Sequence, residues 1–529
     1  MSHFDFVLCL NLVLCLHRPS RPMEFEDVSD ASPLVPSGVV RTPQSLRRRL
    51  AEIDDEMADL QARLQRLAAE RRPVVQSLRS IFYPVLDLPP EITAEIFLYC
   101  VNTAYIGNDG NLTIAPRLST EGHGPLILAS VCRAWRAIAL GLRPIWSKFH
   151  LRTGLNTISS TQKLLECWLP RTGGHPLDVS ISCPAVDTLL ADLAPYAHQL
   201  QTLDCSLLAP ITFPGSFIEG RLPLLKKLYV SLYGDLGSPP TLVTTFAYTP
   251  SLREAHLDGV TLPWIALPWG QLTCLGLSNI GSTDCVHFLH QTLNLETLTV
   301  ADIGYDDIPP LPVRLAHLHT LKFHEYQRDI TLLDHFTLPA LTTLELPVVE
   351  WDLTQNFLDF VARSACALRS LVITFTGANV PFDPIPYLRA LPTLSELRIR
   401  AAEWGVHTLR HFLGVMAEPT FLPNLRTLSF NPFPHSIELP YADLAAFLAA
   451  RWHGRSDKPG DARLESFELV LGPDLDFDPN PSIAQLQDGL DALRALEVDG
   501  PKLNIRGLHR IAGTVDALAI CPPFDRRRL

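Results

Sequence analysis

Several things are scarce in this 529-residue sequence. There are 4 methionines, and the 11 cysteines contain no CxxC pair. Cys9, Cys15, Cys100, Cys132, Cys167, Cys183, Cys205, Cys274, Cys285, Cys366 and Cys521 are odd in number and irregularly spaced. That pattern excludes a disulfide framework and suits reduced thiols of a cytoplasmic or nuclear protein. Basic charge is outweighed, with Lys+Arg 44 against Asp+Glu 56 and a net charge of -12. A nucleic-acid grip needs a basic field that this balance does not supply. The strongest apolar run, FVLCLNLVLCL at residues 6–16, falls short of the roughly 20 residues that span a bilayer. It also lacks the preceding basic residues of a signal peptide, since Asp5 comes before it and Arg18 and Arg21 after. Three readings fit it: a start of translation at Met23, a cryptic signal or anchor, and a structural role. No membrane span is expected elsewhere.

Reaction chemistry is also missing. The sequence has no GxSxG elbow, no HExxH and no glycine-rich phosphate loop with lysine. Cys285, His287 and His290 form C-x-H-x-x-H, with His317, His319 and His324 further on. These fall on different faces and lack the closed grouping of a zinc site. No enzyme, cofactor or metal is therefore expected.

What is abundant is leucine, about one residue in six. Its placement follows a rule. Leu-x-x-apolar-x-apolar occurs as LQTLDC from Leu200, LKKLYV from Leu225, LREAHL from Leu252, LTCLGL from Leu272 and LETLTV from Leu295. It continues as LHTLKF from Leu318, LTTLEL from Leu341, LRSLVI from Leu368, LSELRI from Leu394 and LRTLSF from Leu425. LESFEL from Leu464 and LRALEV from Leu493 complete it, and PLDVSI at Pro176 is a plausible first copy. Most steps are of leucine-rich-repeat length. Each copy reads as a short strand whose alternate apolar residues need stacked neighbours to be buried. Phe357, Leu358, Phe360 and Val361, then Leu444, Phe447 and Leu448, and Leu189, Leu190 and Leu193 have helical spacing between strands. The expected fold is an α/β leucine-rich-repeat solenoid, a curved parallel sheet with outer helices or turns, over residues 157–529. Ile280, Ile303, Val349 and Val260 stand where an asparagine ladder would be, so the array is irregular.

Ahead of the array, residues 1–45 read as a disordered N-terminal segment, with Pro19, Pro22, Pro33, Pro36 and Pro43 among Ser and Asp making 17–45 a linker. Leu46, Leu50, Ile53, Met57, Leu60, Leu64 and Leu67 alternate spacings of four and three, a heptad seam ended by Pro73. This coiled-coil-like helix (46–81) suits either packing on its own protein or self-association through 46–72. Residues 82–151 then form a small all-α module. Leu86, Leu88, Ile92, Ile96, Phe97 and Leu98 make a first helix, with Pro89, Pro90 and Glu91 in its first turn. Leu126, Leu128, Val131, Cys132, Trp135 and Ile138 lie along a second, and Trp146 falls in a short third element. So short a module cannot bury all of its apolar surface, and such modules are usually half of an interface.

LDLPPEITAEIF, VCRAWRAIA and PIW resemble an F-box of the fungal type. The signature falls on Leu88, Pro89, Glu91, Ile92, Ile96, Phe97, Val131, Cys132, Arg133, Trp135, Arg136 and Trp146. The polar, Gly-rich stretch 102–124 departs from it, since shorter linkers are usual. The resemblance implies docking on a Skp-family adaptor, and through it on a cullin–RING ubiquitin ligase, by Leu86, Leu88, Pro89, Ile92, Ile96, Phe97, Leu126, Val131, Cys132, Trp135 and Trp146. The repeats would then capture an unknown protein substrate. The residues between the inward strand positions carry that contact, among them Tyr229, His256, Lys322, His324, Glu345, Arg398 and Arg400. The alternative is a leucine-rich scaffold whose helical module only caps the array.

Overall fold

The computed structural model describes residues 42–80, 84–102, 105–106, 112–113, 124–152, 158–182, 186–208, 222–233, 242–261, 264–304, 311–324, 330–348, 354–375, 384–402, 406–418, 420–432, 441–453, 463–470 and 502–506. The chain divides into two units, with the main boundary between Trp146 and Ser147.

The first unit opens with α1 (Pro43–Ser80), which carries the heptad seam. Pro73 does not end it, contrary to expectation. The proline removes one backbone hydrogen bond, to the carbonyl of Ala69, and the helix runs on past it. The seam is bare, with exposures from 40% at Ile53 to 70% at Leu64. A 3-10 turn (Pro84–Asp87) leads into α2 (Pro90–Asn102). Within 102–124, Tyr105–Ile106 pairs antiparallel with Leu112–Thr113. The expected second helix is two, α3 (Pro125–Val131) and α4 (Arg133–Gly141). Cys132 is extended between them, and its Sγ accepts from the Trp135 N–H at 3.4 Å, capping α4. A second 3-10 turn, Arg143–Trp146, closes the module.

Among its described residues the second unit is built on a sheet of fourteen strands in chain order, each hydrogen-bonded to the next and all parallel. Numbered along it, they are β1 (Lys148–Arg152), β2 (Leu177–Ser182), β3 (Leu200–Leu208), β4 (Lys227–Tyr233), β5 (Glu254–Asp258), β6 (Cys274–Ser278) and β7 (Thr297–Ala301). The rest are β8 (Thr320–Phe323), β9 (Thr343–Val348), β10 (Ser370–Phe375), β11 (Glu396–Ala402), β12 (Thr427–Pro432), β13 (Ser466–Val470) and β14 (Lys502–Arg506). The copies from PLDVSI to LESFEL each coincide with a strand. The first strand differs from expectation. All of β1 but Arg152 lies inside the range assigned to the helical module, yet its five residues pair with β2. At the other end Lys502–Arg506 pairs with β13, whereas LRALEV lies outside the described residues.

Helices stand between strands where the apolar spacing placed them. They include Val186–Leu193, Thr354–Ser364 and Tyr441–His453, with Leu189, Leu193, Phe357, Phe360, Phe447 and Leu448 buried. The core is the inward side of the sheet. Leu228, Ala255, Leu275, Leu298, Leu321 and Leu344 form one row and Leu257, Leu277, Val300 and Phe323 the next, nearly all without exposure. Three consecutive strands end alike. Gly259, Asn279 and Asp302 take positive φ (68°, 53° and 48°), turning the chain so that Val260, Ile280 and Ile303 enter the core. Asn and Asp tolerate that conformation. At Gly259 a Cβ would also lie 2.7 Å from the Leu232 carbonyl oxygen, so only glycine fits. Among the described residues no helix is long and apolar enough to cross a membrane.

Candidate functional site

The helical module has two apolar faces. On α2, Thr93, Phe97 and Val101 recur every four residues and are buried. Phe97 meets Trp135 of α4 edge to face, with centroids 5.0 Å apart. Trp146 is fully buried and donates from its indole to the Ala139 carbonyl at 2.8 Å, and Arg136 Nε donates to Ala129 at 2.8 Å. Phe97 and Trp146 therefore hold the module together, and neither is presented to a partner. Leu126, Cys132 and Trp135 are half-buried, and Leu86 lies on the turn before α2. The remaining expected contacts, Leu88, Pro89, Ile92, Ile96 and Val131, are exposed. Three apolar residues the sequence reading missed, Val85, Tyr99 and Ile127, are exposed as well. Ile92, Ile96 and Tyr99 follow spacings of four and three along one side of α2, parallel to the buried stripe. The signal was present as a helix apolar on both sides.

On the sheet, backbone register gathers the expected substrate residues into one line. His150, Ser180, Asp204, Tyr229, His256, Gly276, Thr299, Lys322, Glu345, Val372, Arg398, Ser429, Glu468 and Asn504 occupy successive strands at the same level. Tyr229, His256, Lys322, Glu345 and Arg398 are thus five members of a single row. Arg400 belongs to the next row, beside Thr374, and His324 directly follows β8.

The row is tightly built at its start. His150 Nδ1 and Ser180 Oγ are 2.7 Å apart, and Ser180 donates to Asp204 at 2.7 Å. Since that serine's one proton goes to the carboxylate, Nδ1 carries the hydrogen it accepts. Burial pushes the Asp204 carboxyl up from its usual range, against the pull of Ser180. The rings of Tyr229 and His256 then stack, 4.6 Å apart and 7° from parallel. Gly276 makes room on the other side, where a Cβ would sit 2.0 Å from His256 Nδ1.

Glu254 ties this group together. His256 Nε2 lies 3.3 Å from it and Lys227 Nζ 2.7 Å, and the Tyr229 hydroxyl donates to it. His256 foremost, with Lys227 and Tyr229, holds its carboxyl at about 2 despite burial. The Tyr229 phenol moves up, by burial and then by Glu254. Burial, followed by the same carboxylate, pushes the Cys274 thiol up to about 11. Donor atoms of Glu254, His256 and Cys274 lie within 4.8 Å of one another, an O, N and S set. The carboxylate is already engaged by the Lys227 ammonium, which a metal ion would have to displace. By contrast Cys285 is buried while His287 and His290 are exposed, so C-x-H-x-x-H converges on nothing.

Further along, cations and carboxylates are mixed. Lys322 is exposed, Arg398 binds Glu396 at 2.6 Å, and Arg400 binds Glu345 at 3.0 Å. The sheet thus offers a polar, hydrogen-bonding surface, aromatic and acidic around Tyr229 and of mixed charge from Lys322 onward. No family model matches the chain, and no curated protein matches it in sequence.

Proposed function

We propose that this protein is the substrate-recognition subunit of a Skp–cullin–F-box type ubiquitin ligase. The observation that carries the reading is the second apolar stripe of α2. Ile92, Ile96 and Tyr99 stay exposed with Leu88 and Val131, although the helix has already buried Thr93, Phe97 and Val101. An apolar stripe left in water on a small module is an interface in search of its other half. In this reading it docks on a Skp-family adaptor, as the LDLPPEITAEIF and VCRAWRAIA resemblance implies. The fourteen-stranded sheet is then an irregular leucine-rich-repeat solenoid whose polar row receives a target protein. The chain performs no bond chemistry. It raises the target's effective concentration at the ligase.

The test is co-purification of the full chain with a Skp-family adaptor, wild type against Leu88→Ala/Pro89→Ala. Capture by wild type and its loss in the variant are expected. Well-folded wild type that retains no adaptor overturns the proposal and favours the scaffold reading.

A further inference from the structure

The seam of α1 is bare along its whole length. Every residue from 42 to 74 is exposed, so no described part of the chain covers Leu50, Ile53, Met57, Leu60, Leu64 or Leu67. Such a seam lacks its facing helix. The charges beside it say which helix fits.

With Leu50, Met57 and Leu64 at one core position of the heptad and Ile53, Leu60 and Leu67 at the other, the position preceding the first set is filled by Arg49, Glu56, Arg63 and Glu70. The sign alternates strictly from heptad to heptad, a pattern complementary to its own reverse. Laid antiparallel on a second copy, Leu50 packs against the partner's Leu67, Ile53 against the partner's Leu64 and Met57 against the partner's Leu60. In that register Arg49 faces the partner's Glu70, and Glu56 faces the partner's Arg63. Every flanking charge of the set meets its opposite.

The alternatives are poorer. A slip of one heptad sets Arg49 on the partner's Arg63 or Glu56 on the partner's Glu70. A parallel, in-register pair keeps only Arg49 with the partner's Asp54, and leaves Glu56 against Gln61 and Arg63 against Ala68. It also places Arg71, the next core position, against itself on the axis. The antiparallel pair sets Arg71 beside the partner's Leu46 near the end of the coil, where a guanidinium reaches water. We infer that α1 is a homodimerisation helix that pairs with a second copy of this chain antiparallel, centred between Met57 and Leu60. This inference is independent of the adaptor reading.

Arg49 already has Glu52 at 3.1 Å on its own helix, so the decisive pair is Glu56 with Arg63. The full chain is examined by sedimentation equilibrium at low salt as wild type, Glu56→Arg, Arg63→Glu and the double variant. Wild type is expected to dimerise. Each single variant turns two attractive pairs repulsive and weakens the dimer about tenfold. The double variant, or an equimolar mixture of the two singles, returns within about twofold of wild type. Both sites are exposed, and unchanged far-UV circular dichroism separates loss of pairing from loss of the helix. Monomeric wild type overturns the inference. So does a dimer whose constant is indifferent to the single variants, because a parallel coil sets Glu56 and Arg63 against uncharged residues.

Discussion

Arg400 on β11 reaches over β10 to bind Glu345 on β9, 3.0 Å away and 55 residues earlier in the chain. The contact skips a strand and runs from the row of Thr374 to the row of Val372. Both side chains are partly in water, so the pair gains little from Coulomb attraction. Arg400→Ala is expected to cost about 0.5 kcal/mol and to leave the melting curve almost unchanged. If the polar row receives a target, the same substitution weakens capture of that target. A large loss of stability would instead make the pair part of the scaffold.

Neighbouring residues of α2 should behave in opposite ways. Phe97→Ala removes a fully buried ring that packs on Trp135, and about 3–5 kcal/mol of stability of the module is expected to go with it. Ile96→Asp changes a side chain already in water and should alter stability by no more than about 0.5 kcal/mol. It should nevertheless abolish adaptor capture. Protease resistance of the module and co-purification, read on both variants, distinguish holding the fold from offering a surface.

Gly276 and His256 test the stacked corner. A methyl group at 276 has no room beside the imidazole, so Gly276→Ala is expected to lower the melting midpoint in the wild-type background. In a His256→Ala background the same change should be close to neutral. Equal effects in both backgrounds would mean that the ring does not set the requirement for glycine.

Two carboxylates two strands apart, Asp204 on β3 and Glu254 on β5, predict opposite responses to pH. Glu254 is depressed in the folded state to about 2 from 4.5. Its contribution is present above about pH 4.5 and is lost as pH falls toward 2. Asp204 is raised above 3.8. The folded state holds its proton more tightly, so its contribution favours folding at low pH and is lost as pH rises through the folded value. Glu254→Gln should lower the midpoint at pH 7, and Asp204→Asn should raise it, each by about 2 °C. Both differences should shrink toward pH 2 in thermal melts.

The repeats were legible because every inward position must be apolar, whatever surrounds it. The exceptions are instructive. β1 obeys the same spacing with Trp146, Phe149 and Leu151, but the resemblance of the preceding segment to an F-box had claimed those residues. β14 is not picked out by the spacing because its sequence carries Gly500 where most copies open with leucine. The break at Cys132 lay inside an uninterrupted helical pattern, and a thiol is an inconspicuous cap. Alternation along each strand was enough to place Tyr229, His256, Lys322, Glu345 and Arg398 on the polar side. Their meeting in one row depends on register between copies of unequal length, which no single strand encodes. The same holds for the joining of Glu254 to Lys227, Tyr229 and His256.

Because strand order in the fourteen-stranded sheet follows chain order, each of its strands finds its stabilising neighbours one repeat before and one repeat after. Folding free energy in such an array is a sum of local terms and nearest-neighbour couplings. A lesion in the middle, such as a break at β8, need not dissolve both ends together. Fluorescence from Trp168, packed on Phe149 of β1, and a reporter near β13 can therefore melt at different temperatures, so each midpoint belongs to the region its probe reports.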